Sequence, residues 1–118
     1  MVNVLVVDDD AQIREMVASY LEAAGVHVLR ASDGAEASAV LNRGGIDVVV
    51  TDLNMPGRDG FALKAHIAAM PRAIPVIIIS GTWTPEERTQ ATQMGFARAY
   101  EKPADLAQLL RDIEALAP

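Results

Sequence analysis

The sequence predicts an α/β protein in which a parallel sheet lies between two layers of helices. Short apolar segments rich in β-branched residues alternate five times with longer amphipathic segments along the 118 residues. Segments that are apolar at every position indicate strands buried on both faces, which is typical of a parallel sheet. Because a closed barrel of parallel strands would need eight such units, we predict an open, doubly wound sheet.

The first strand–helix unit is predicted from the spacing of its apolar residues. Residues 2–7 form a short strand, and residues 11–24 form a helix that Asp10 caps. Gly25 follows at the position of a C-terminal cap. The side chains expected on the buried face of this helix are Ile13, Met16, Val17, Tyr20, Leu21 and Ala24.

The next two units are shorter. A strand over 26–31 precedes a helix over 35–42, which a pair of glycines ends. A strand over 46–51 then precedes a helix over 60–70. The side chains expected to face inward from this helix are Leu63, Ile67 and Met70.

The fourth unit joins the most apolar strand, residues 76–79, to a helix with a distinct N-terminal signal. We expect Thr84 to cap this helix, Pro85 to take its first position and Glu87 to complete a capping box. The helix is predicted to end at Gly95.

The fifth unit is a weaker strand over 98–102 followed by an amphipathic helix over 105–116. The spacing of Asp105 and Gln108 predicts a second capping box. The apolar face of the helix consists of Leu106, Leu109, Leu110, Ile113 and Leu116. No linker or low-complexity segment interrupts the pattern, so we expect one domain over residues 1–118.

Composition and charge restrict the class of protein. Hydrophobic residues make up 51% of the chain and charged residues 22%, as in a globular domain. No apolar run approaches the roughly 20 residues of a membrane span, no signal peptide is evident and cysteine is absent, which together predict a cytoplasmic protein. A net charge of −6 with scattered basic residues argues against direct nucleic-acid binding and suits a cation or a basic partner.

Polar side chains follow four of the five predicted strands. Each one alone is explained as a helix cap, a turn residue or a solvated surface residue. The carboxyl ends of parallel strands meet at one edge of the sheet, however, and four such groups at one edge predict a binding site. The residues are Asp8, Asp9 and Asp10 after the first strand, Asp52 and Asn54 after the third, Ser80 after the fourth and Lys102 after the fifth.

These residue types predict phosphoryl chemistry. Two carboxylates facing a third form an oxygen-rich pocket of the kind that binds Mg²⁺. A nearby lysine and hydroxyl suit the charged oxygens of a phosphoryl group. The sequence contains no glycine-rich phosphate loop, so a bound nucleotide is not expected. The remaining interpretation is that a carboxylate itself accepts the phosphoryl group.

Four segments together resemble the receiver domain of two-component response regulators. They are "VLVVDDDAQIREMV", "VVVTDLNMPGRDG", "IPVIIISG" and "EKPADL", in the family's order and spacing over almost the whole chain. The resemblance implies a flavodoxin-like fold with five helices and strand order 2-1-3-4-5. It also implies a signalling domain that catalyses only its own phosphotransfer and dephosphorylation.

The resemblance assigns roles to individual residues. Asp52 would be the phosphoacceptor. Asp8, Asp9 and Asp52 would hold Mg²⁺, with Mn²⁺ as an alternative, and the main-chain carbonyl of Asn54 would be a further ligand. Ser80 and Lys102 would contact phosphoryl oxygens, and the peptide bond between Lys102 and Pro103 would be cis.

The resemblance also implies partners. The phosphoryl donor would be a histidine kinase or a histidine phosphotransfer protein. The signal would pass to a downstream protein or to an output domain outside this chain, because the sequence ends at Pro118 without an output module. No membrane or nucleic-acid partner is expected for these residues.

One position departs from the family pattern. Receivers usually carry an aromatic residue three positions before the lysine, where this chain has Ala99, and Tyr100 is displaced by one residue. Such a displacement turns the side chain to the opposite face of a strand unless a bulge intervenes. Trp83, the only tryptophan, either packs against the fourth helix or carries part of the output signal.

Two alternatives remain open from the sequence. The first is a receiver-like module that binds partners without being phosphorylated. The second is a phosphatase similar to the haloacid dehalogenases, in which Asp8 would be the nucleophile. The chain is short for a substrate-binding cap, and Asp52 would have no role in a phosphatase.

Overall fold

The computed structural model describes all 118 residues and shows five strands and five helices in strict alternation. The strands are β1 (Asn3–Val7), β2 (His27–Ala31), β3 (Val48–Asp52), β4 (Val76–Ser80) and β5 (Arg98–Glu101). The helices are α1 (Ala11–Ala23), α2 (Gly34–Asn42), α3 (Gly60–Ala68), α4 (Pro85–Gln93) and α5 (Leu106–Leu116). Each element lies where the sequence predicts it, and only its ends differ.

The strands form one parallel sheet in the order β2-β1-β3-β4-β5. This arrangement confirms the predicted fold class. Strand β1 lies between β2 and β3, so the order of the strands reverses beside it. Ligands in such sheets bind at the carboxyl ends of the strands near this reversal.

The two faces of the sheet bury separate apolar clusters. One cluster joins β1, β3 and β4 to α1 and α5 through side chains such as Val50, Leu21 and Ile113. The other joins the opposite face to α2 and α3 through side chains such as Leu41 and Leu63. Because both faces are covered, the inner strands β1, β3 and β4 are apolar at most positions, whereas the edge strands β2 and β5 contain polar residues.

The helix caps are local features and follow the sequence closely. The side chain of Asp10 accepts hydrogen bonds from the main-chain N–H groups of Gln12 and Ile13. Thr84 and Glu87 form the predicted capping box. Asp105 also caps its helix.

The second predicted box is only half formed. The main-chain N–H of Gln108 donates to Asp105 Oδ1, but the side-chain oxygen of Gln108 accepts from Arg111 and not from the N–H of Asp105. The side-chain amide nitrogen of Gln108 donates to Asp112.

The buried stripe of α1 is narrower than predicted. Val17 and Leu21 are buried, but Met16 and Tyr20 are 49% and 37% exposed and Ala24 lies on the surface beyond the helix. These side chains lie at the margin of the apolar stripe and stay accessible to solvent. Leu63 and Ile67 of α3 are buried as predicted, and Met70 is half-buried past the helix end.

Helix α4 differs from the others because it is polar on almost every side. Ala91 is its only buried residue. A helix of this kind gains little from burial, so its stability comes from caps and side-chain contacts. None of the five helices has the length and apolar character needed to cross a lipid bilayer.

Candidate functional site

The carboxyl ends of β1, β3 and β5 bring three charged side chains into contact. Lys102 Nζ lies 3.2 Å from Asp8 Oδ2 and 3.2 Å from Asp52 Oδ1. The carboxylates of Asp8 and Asp52 are buried, with 7% and 6% of their side chains exposed. Residues from distant parts of the sequence therefore form one site because their strands end at the same edge.

Asp9 joins Asp8 and Asp52 to form an acidic cluster beside Lys102. Carboxylate oxygens of Asp8, Asp9 and Asp52 all lie within 4.8 Å of one another. Asp9 is exposed to solvent, whereas the other two are buried. Hard oxygen ligands at this separation, supplied by the loop after β1 and the last residue of β3, fit a small divalent cation.

The electrostatics of the site reflect its burial. Burial, together with the negative charge of Asp8, raises the pKa of Asp52 above its ordinary value, although Lys102 opposes the shift. Burial also acts to lower the pKa of Lys102, but the carboxylates of Asp52 and Asp8 outweigh it and raise that pKa. The lysine is therefore held in its charged form between the two carboxylates.

The turn after β3 is held close to Asp52. The N–H of Leu53 donates to the carbonyl of Ile79, and Gly60 N–H donates to the carbonyl of Leu53. A Cβ on Gly60 would lie 2.7 Å from the carbonyl oxygen of Asp52, so only glycine fits there. Gly57 has a φ of 75°, in the left-handed region. The glycines of "MPGRDG" thus allow the turn to fold back over the strand end.

The fourth strand supplies a buried hydroxyl. Ser80 is fully buried, and its Oγ accepts a hydrogen bond from the N–H of Thr82 at 3.1 Å. The side-chain amide of Asn54 donates to Thr82 Oγ1 at 3.0 Å and approaches Ser80 Oγ at 3.4 Å. These bonds join the loops after β3 and β4 across the site. The peptide bond between Lys102 and Pro103 is cis.

Residues 4–114 match the family described as the response regulator receiver domain. The chain belongs to this family. A receiver domain is a phosphoacceptor signalling domain, which is the function class predicted from the sequence. Neither a phosphatase nor a module without phosphorylation is favoured by any similarity found.

Individual relatives agree with this assignment. The chain is 32% identical to the sensor histidine kinase RcsC of Salmonella typhi over 97% of its own length and 12% of the relative's. It is 35% identical to the transcriptional regulatory protein GlrR of Escherichia coli K12, over 95% of its own length and 25% of the relative's. The chain therefore spans a quarter or less of these two proteins.

A solved structure covers the same region on its own. The receiver domain of the Francisella response regulator 1452 is 30% identical, with a TM-score of 0.91. The alignment covers 98% of this chain and 96% of that one.

Sequence reasoning missed two residues of this receiver domain. Arg14 Nη1 donates to the main-chain carbonyl of Asp8 at 3.0 Å, and Thr82 bridges to Asn54. Arg14 lies in the first turn of α1, and helical side chains lean toward the N-terminus of their helix. Its position in the sequence therefore indicated that its side chain could lie over the turn after β1. Thr82 lies two residues after Ser80 and had no signal of its own.

An apolar groove of about 290 Å³ opens beside the charged residues of the receiver domain. It lies between α1 and the connection from β5 to α5. Its walls include Ile13, Met16, Pro103 and Leu106, and Asp52 also lines it. The exposed side chain of Met16, which the sequence assigned to the core, is part of this surface.

Ala99 and Tyr100, at two of the predicted switch positions, face opposite sides of β5. Strand β5 pairs regularly with β4, with Ala99 opposite Ile78 and Tyr100 opposite Ile79, so no bulge corrects the displacement. Tyr100 packs against the cluster of α1 and α5, and its hydroxyl donates to Asp112. Ala99 therefore faces the other side of the strand.

Trp83 links the loop after β4 to β5. Its Nε1–H donates to the main-chain carbonyl of Tyr100 at 2.8 Å. The guanidinium of Arg88 lies 5.4 Å from the centre of the indole and also pairs with Glu101 at 2.6 Å. Trp83 thus contacts both α4 and the edge strand, and its role in the output signal stays a prediction.

Proposed function

We propose that this receiver domain accepts a phosphoryl group from a phosphohistidine on Asp52. The observation that carries the proposal is the placement of a buried carboxylate against Lys102 inside an acidic cluster. A carboxylate oxygen of Asp52 forms a bond to phosphorus as the bond from phosphorus to the imidazole nitrogen breaks. The leaving imidazole takes a proton from solvent, and hydrolysis of the acyl phosphate later restores the carboxylate.

Two side chains would stabilise the transferred group. Lys102 Nζ, which pairs with Asp52, can contact a phosphoryl oxygen and stabilise the negative charge on that oxygen during the transfer. Ser80 Oγ accepts from the main chain, which leaves its own proton available for donation to another phosphoryl oxygen. The arrangement supports one phosphorylation and one hydrolysis of the domain itself, and not turnover of a free substrate.

Asp8, Asp9 and Asp52, with the main-chain carbonyl of Asn54, would hold Mg²⁺ or Mn²⁺. The bound ion supplies positive charge that offsets repulsion between these carboxylates and the phosphoryl oxygens. The three carboxylates are within 4.8 Å of one another, which suits this role.

The proposed phosphoryl donor is a histidine kinase or a histidine phosphotransfer protein. The groove beside Asp52 supports docking of a helical partner, because its apolar walls and the exposed Met16 would be covered in a complex. We further propose that the signal passes to a separate protein or to an output domain outside residues 1–118. The net charge of −6 argues against direct contact of this domain with nucleic acid.

The proposed output surface is formed by Trp83, Ala99 and Tyr100. Trp83 is three residues from Ser80 and bonds to β5, so a movement of the serine loop would reach the edge strand through it. The small side chain at position 99 leaves that face of β5 open. Phosphorylation would then shift the population of two arrangements of α4 and β5.

The test is to incubate the protein with Mg²⁺ and phosphoramidate and to map the added phosphoryl group by mass spectrometry. We expect one labile group on Asp52, lost in Asp52→Asn and retained in Glu114→Gln, a control at an exposed carboxylate. Label that persists in Asp52→Asn but disappears in Asp8→Asn would instead support the phosphatase. Absence of label, with a competent kinase also tried, would support a module without phosphorylation.

A further inference from the structure

The turn between β1 and α1 fixes Asp8 through each of its polar groups. Its N–H donates to the carbonyl of Ala31 at 3.2 Å, and its Oδ1 accepts from the N–H of Asp10 at 2.9 Å. Its Oδ2 pairs with Lys102. The remaining group, the main-chain carbonyl, accepts from Nη1 of Arg14 at 3.0 Å.

Arg14 reaches this carbonyl from the first turn of α1. Helical side chains lean toward the N-terminus of their helix, so this one lies over the preceding turn. Only 19% of the side chain is exposed, which is low for arginine. Its one carboxylate neighbour within ion-pair distance is Glu15 at 3.7 Å, and it lines the groove with Asp8 and Asp52.

At this position the positive charge of Arg14 offsets the repulsion among the carboxylates of the acidic cluster. Asp8 and Asp9 are adjacent in the chain, and both direct carboxylate oxygens toward Asp52. Like charges this close repel, and a turn held only by neutral hydrogen bonds would relax to separate them. A hydrogen bond from a guanidinium is stronger than a neutral one, and it adds positive charge beside the cluster.

We propose that Arg14 is a positioning residue for the cation site, which holds the turn after β1 so that Asp8 and Asp9 are preorganised for Mg²⁺. The proposal rests on the proposed function, because it takes the acidic cluster to be the cation site. Arg14 acts through the main chain of Asp8 and touches neither the phosphoryl group nor the reacting oxygen.

The test compares Arg14→Met with Arg43→Met, which removes the same charge from an exposed position at the end of α2. Calorimetric titration is expected to give a Kd for Mg²⁺ about tenfold higher in Arg14→Met and unchanged in the control. In metal-free protein, the N–H of Asp10 is expected to exchange with solvent faster in Arg14→Met. At saturating Mg²⁺ the rate of phosphorylation should return to within about twofold of the original rate, because the ion then holds the turn.

A second variant, Arg14→Lys, keeps the charge but not the planar guanidinium, and it carries the test if Arg14→Met does not fold. We expect an intermediate Kd and the same fast exchange at Asp10. Unchanged Mg²⁺ affinity in Arg14→Met, or full affinity in Arg14→Lys, would overturn the positioning role. Weakened Mg²⁺ binding without label on Asp52 would support this role and contradict the proposed function.

Discussion

Neutralising Asp52 is expected to stabilise the metal-free protein. The carboxylate is 6% exposed, 3.2 Å from Lys102 Nζ and within 4.8 Å of the Asp8 oxygens. At an effective dielectric constant of about 20, the attraction to the lysine is roughly 5 kcal/mol and the repulsion from Asp8 roughly 3.5 kcal/mol. The net attraction is at most about 1.5 kcal/mol, since 4.8 Å is the upper limit of the separation between Asp8 and Asp52, and it is smaller than the several kcal/mol that burying a carboxylate costs.

We therefore expect Asp52→Asn to raise the free energy of unfolding by about 1–3 kcal/mol in the absence of divalent cations. Mg²⁺ should oppose this difference. At a concentration 100 times its Kd, the ion would stabilise the original protein by about 2.7 kcal/mol and the variant much less, because one ligand is lost.

Urea unfolding followed by circular dichroism, with and without Mg²⁺, measures both effects. Glu114→Gln removes an exposed carboxylate and should change neither curve by more than about 0.5 kcal/mol. The reasoning is refuted if Asp52→Asn is less stable than the original protein without Mg²⁺, or if Mg²⁺ stabilises both equally.

Three further outcomes are expected. The fluorescence of Trp83 should change when Mg²⁺ and beryllofluoride, a phosphoryl mimic, are added together, since its loop follows Ser80. The N–H of Asn3, then Arg72, lower the pKa of Asp47 below 3.8, so its charge should contribute about 1 kcal/mol of stability above pH 4. Asp47→Asn should lose this contribution, and the two proteins should converge as the pH falls through the lower folded pKa. Gly60→Ala should cost about 2 kcal/mol and slow phosphorylation, because its Cβ would lie 2.7 Å from the main-chain carbonyl oxygen of Asp52, the proposed phosphoacceptor.

Each of these outcomes has a matched control. Asp52→Asn should abolish the fluorescence change, and an unchanged signal in the original protein would contradict the proposed output surface. A constant stability difference in Asp47→Asn from pH 7 to pH 2 would contradict the pKa assignment. Gly81→Ala is the control for Gly60→Ala, since its Cβ would have contacts no closer than 3.8 Å. Equal losses in the two variants would remove the steric argument.

The elements of the fold could be predicted because their signals are local. The caps at Asp10 and Thr84 depend on side chains within three residues of the main chain they bind. The exposure of Met16 and Tyr20 could not be predicted. Helical periodicity identifies the apolar face of α1, but it does not show how much of that face the rest of the protein covers. The side chain of Gln108 likewise bonds to Asp112, one helical turn further along, instead of to the main chain of Asp105.

The residues at the strand ends of the site could be predicted, but the contacts that hold its loops could not. Asp8, Asp9, Asp52, Ser80 and Lys102 each end or follow a strand, and a parallel sheet brings such ends together whatever the details of packing. The hydrogen bond of Arg14 and the bridge of Thr82 depend on how two side chains fold across a turn. The periodicity of the sequence does not predict contacts of this kind.

The sequence by itself determined the alternation of strands and helices, the residue types at the strand ends and the family. These follow from periodicity and side-chain chemistry, which act over a few residues. Only the tertiary structure decided that Lys102 lies between Asp8 and Asp52 and that Trp83 bonds to the main chain of Tyr100. Such contacts join distant segments, and their geometry depends on the twist and packing of the whole sheet.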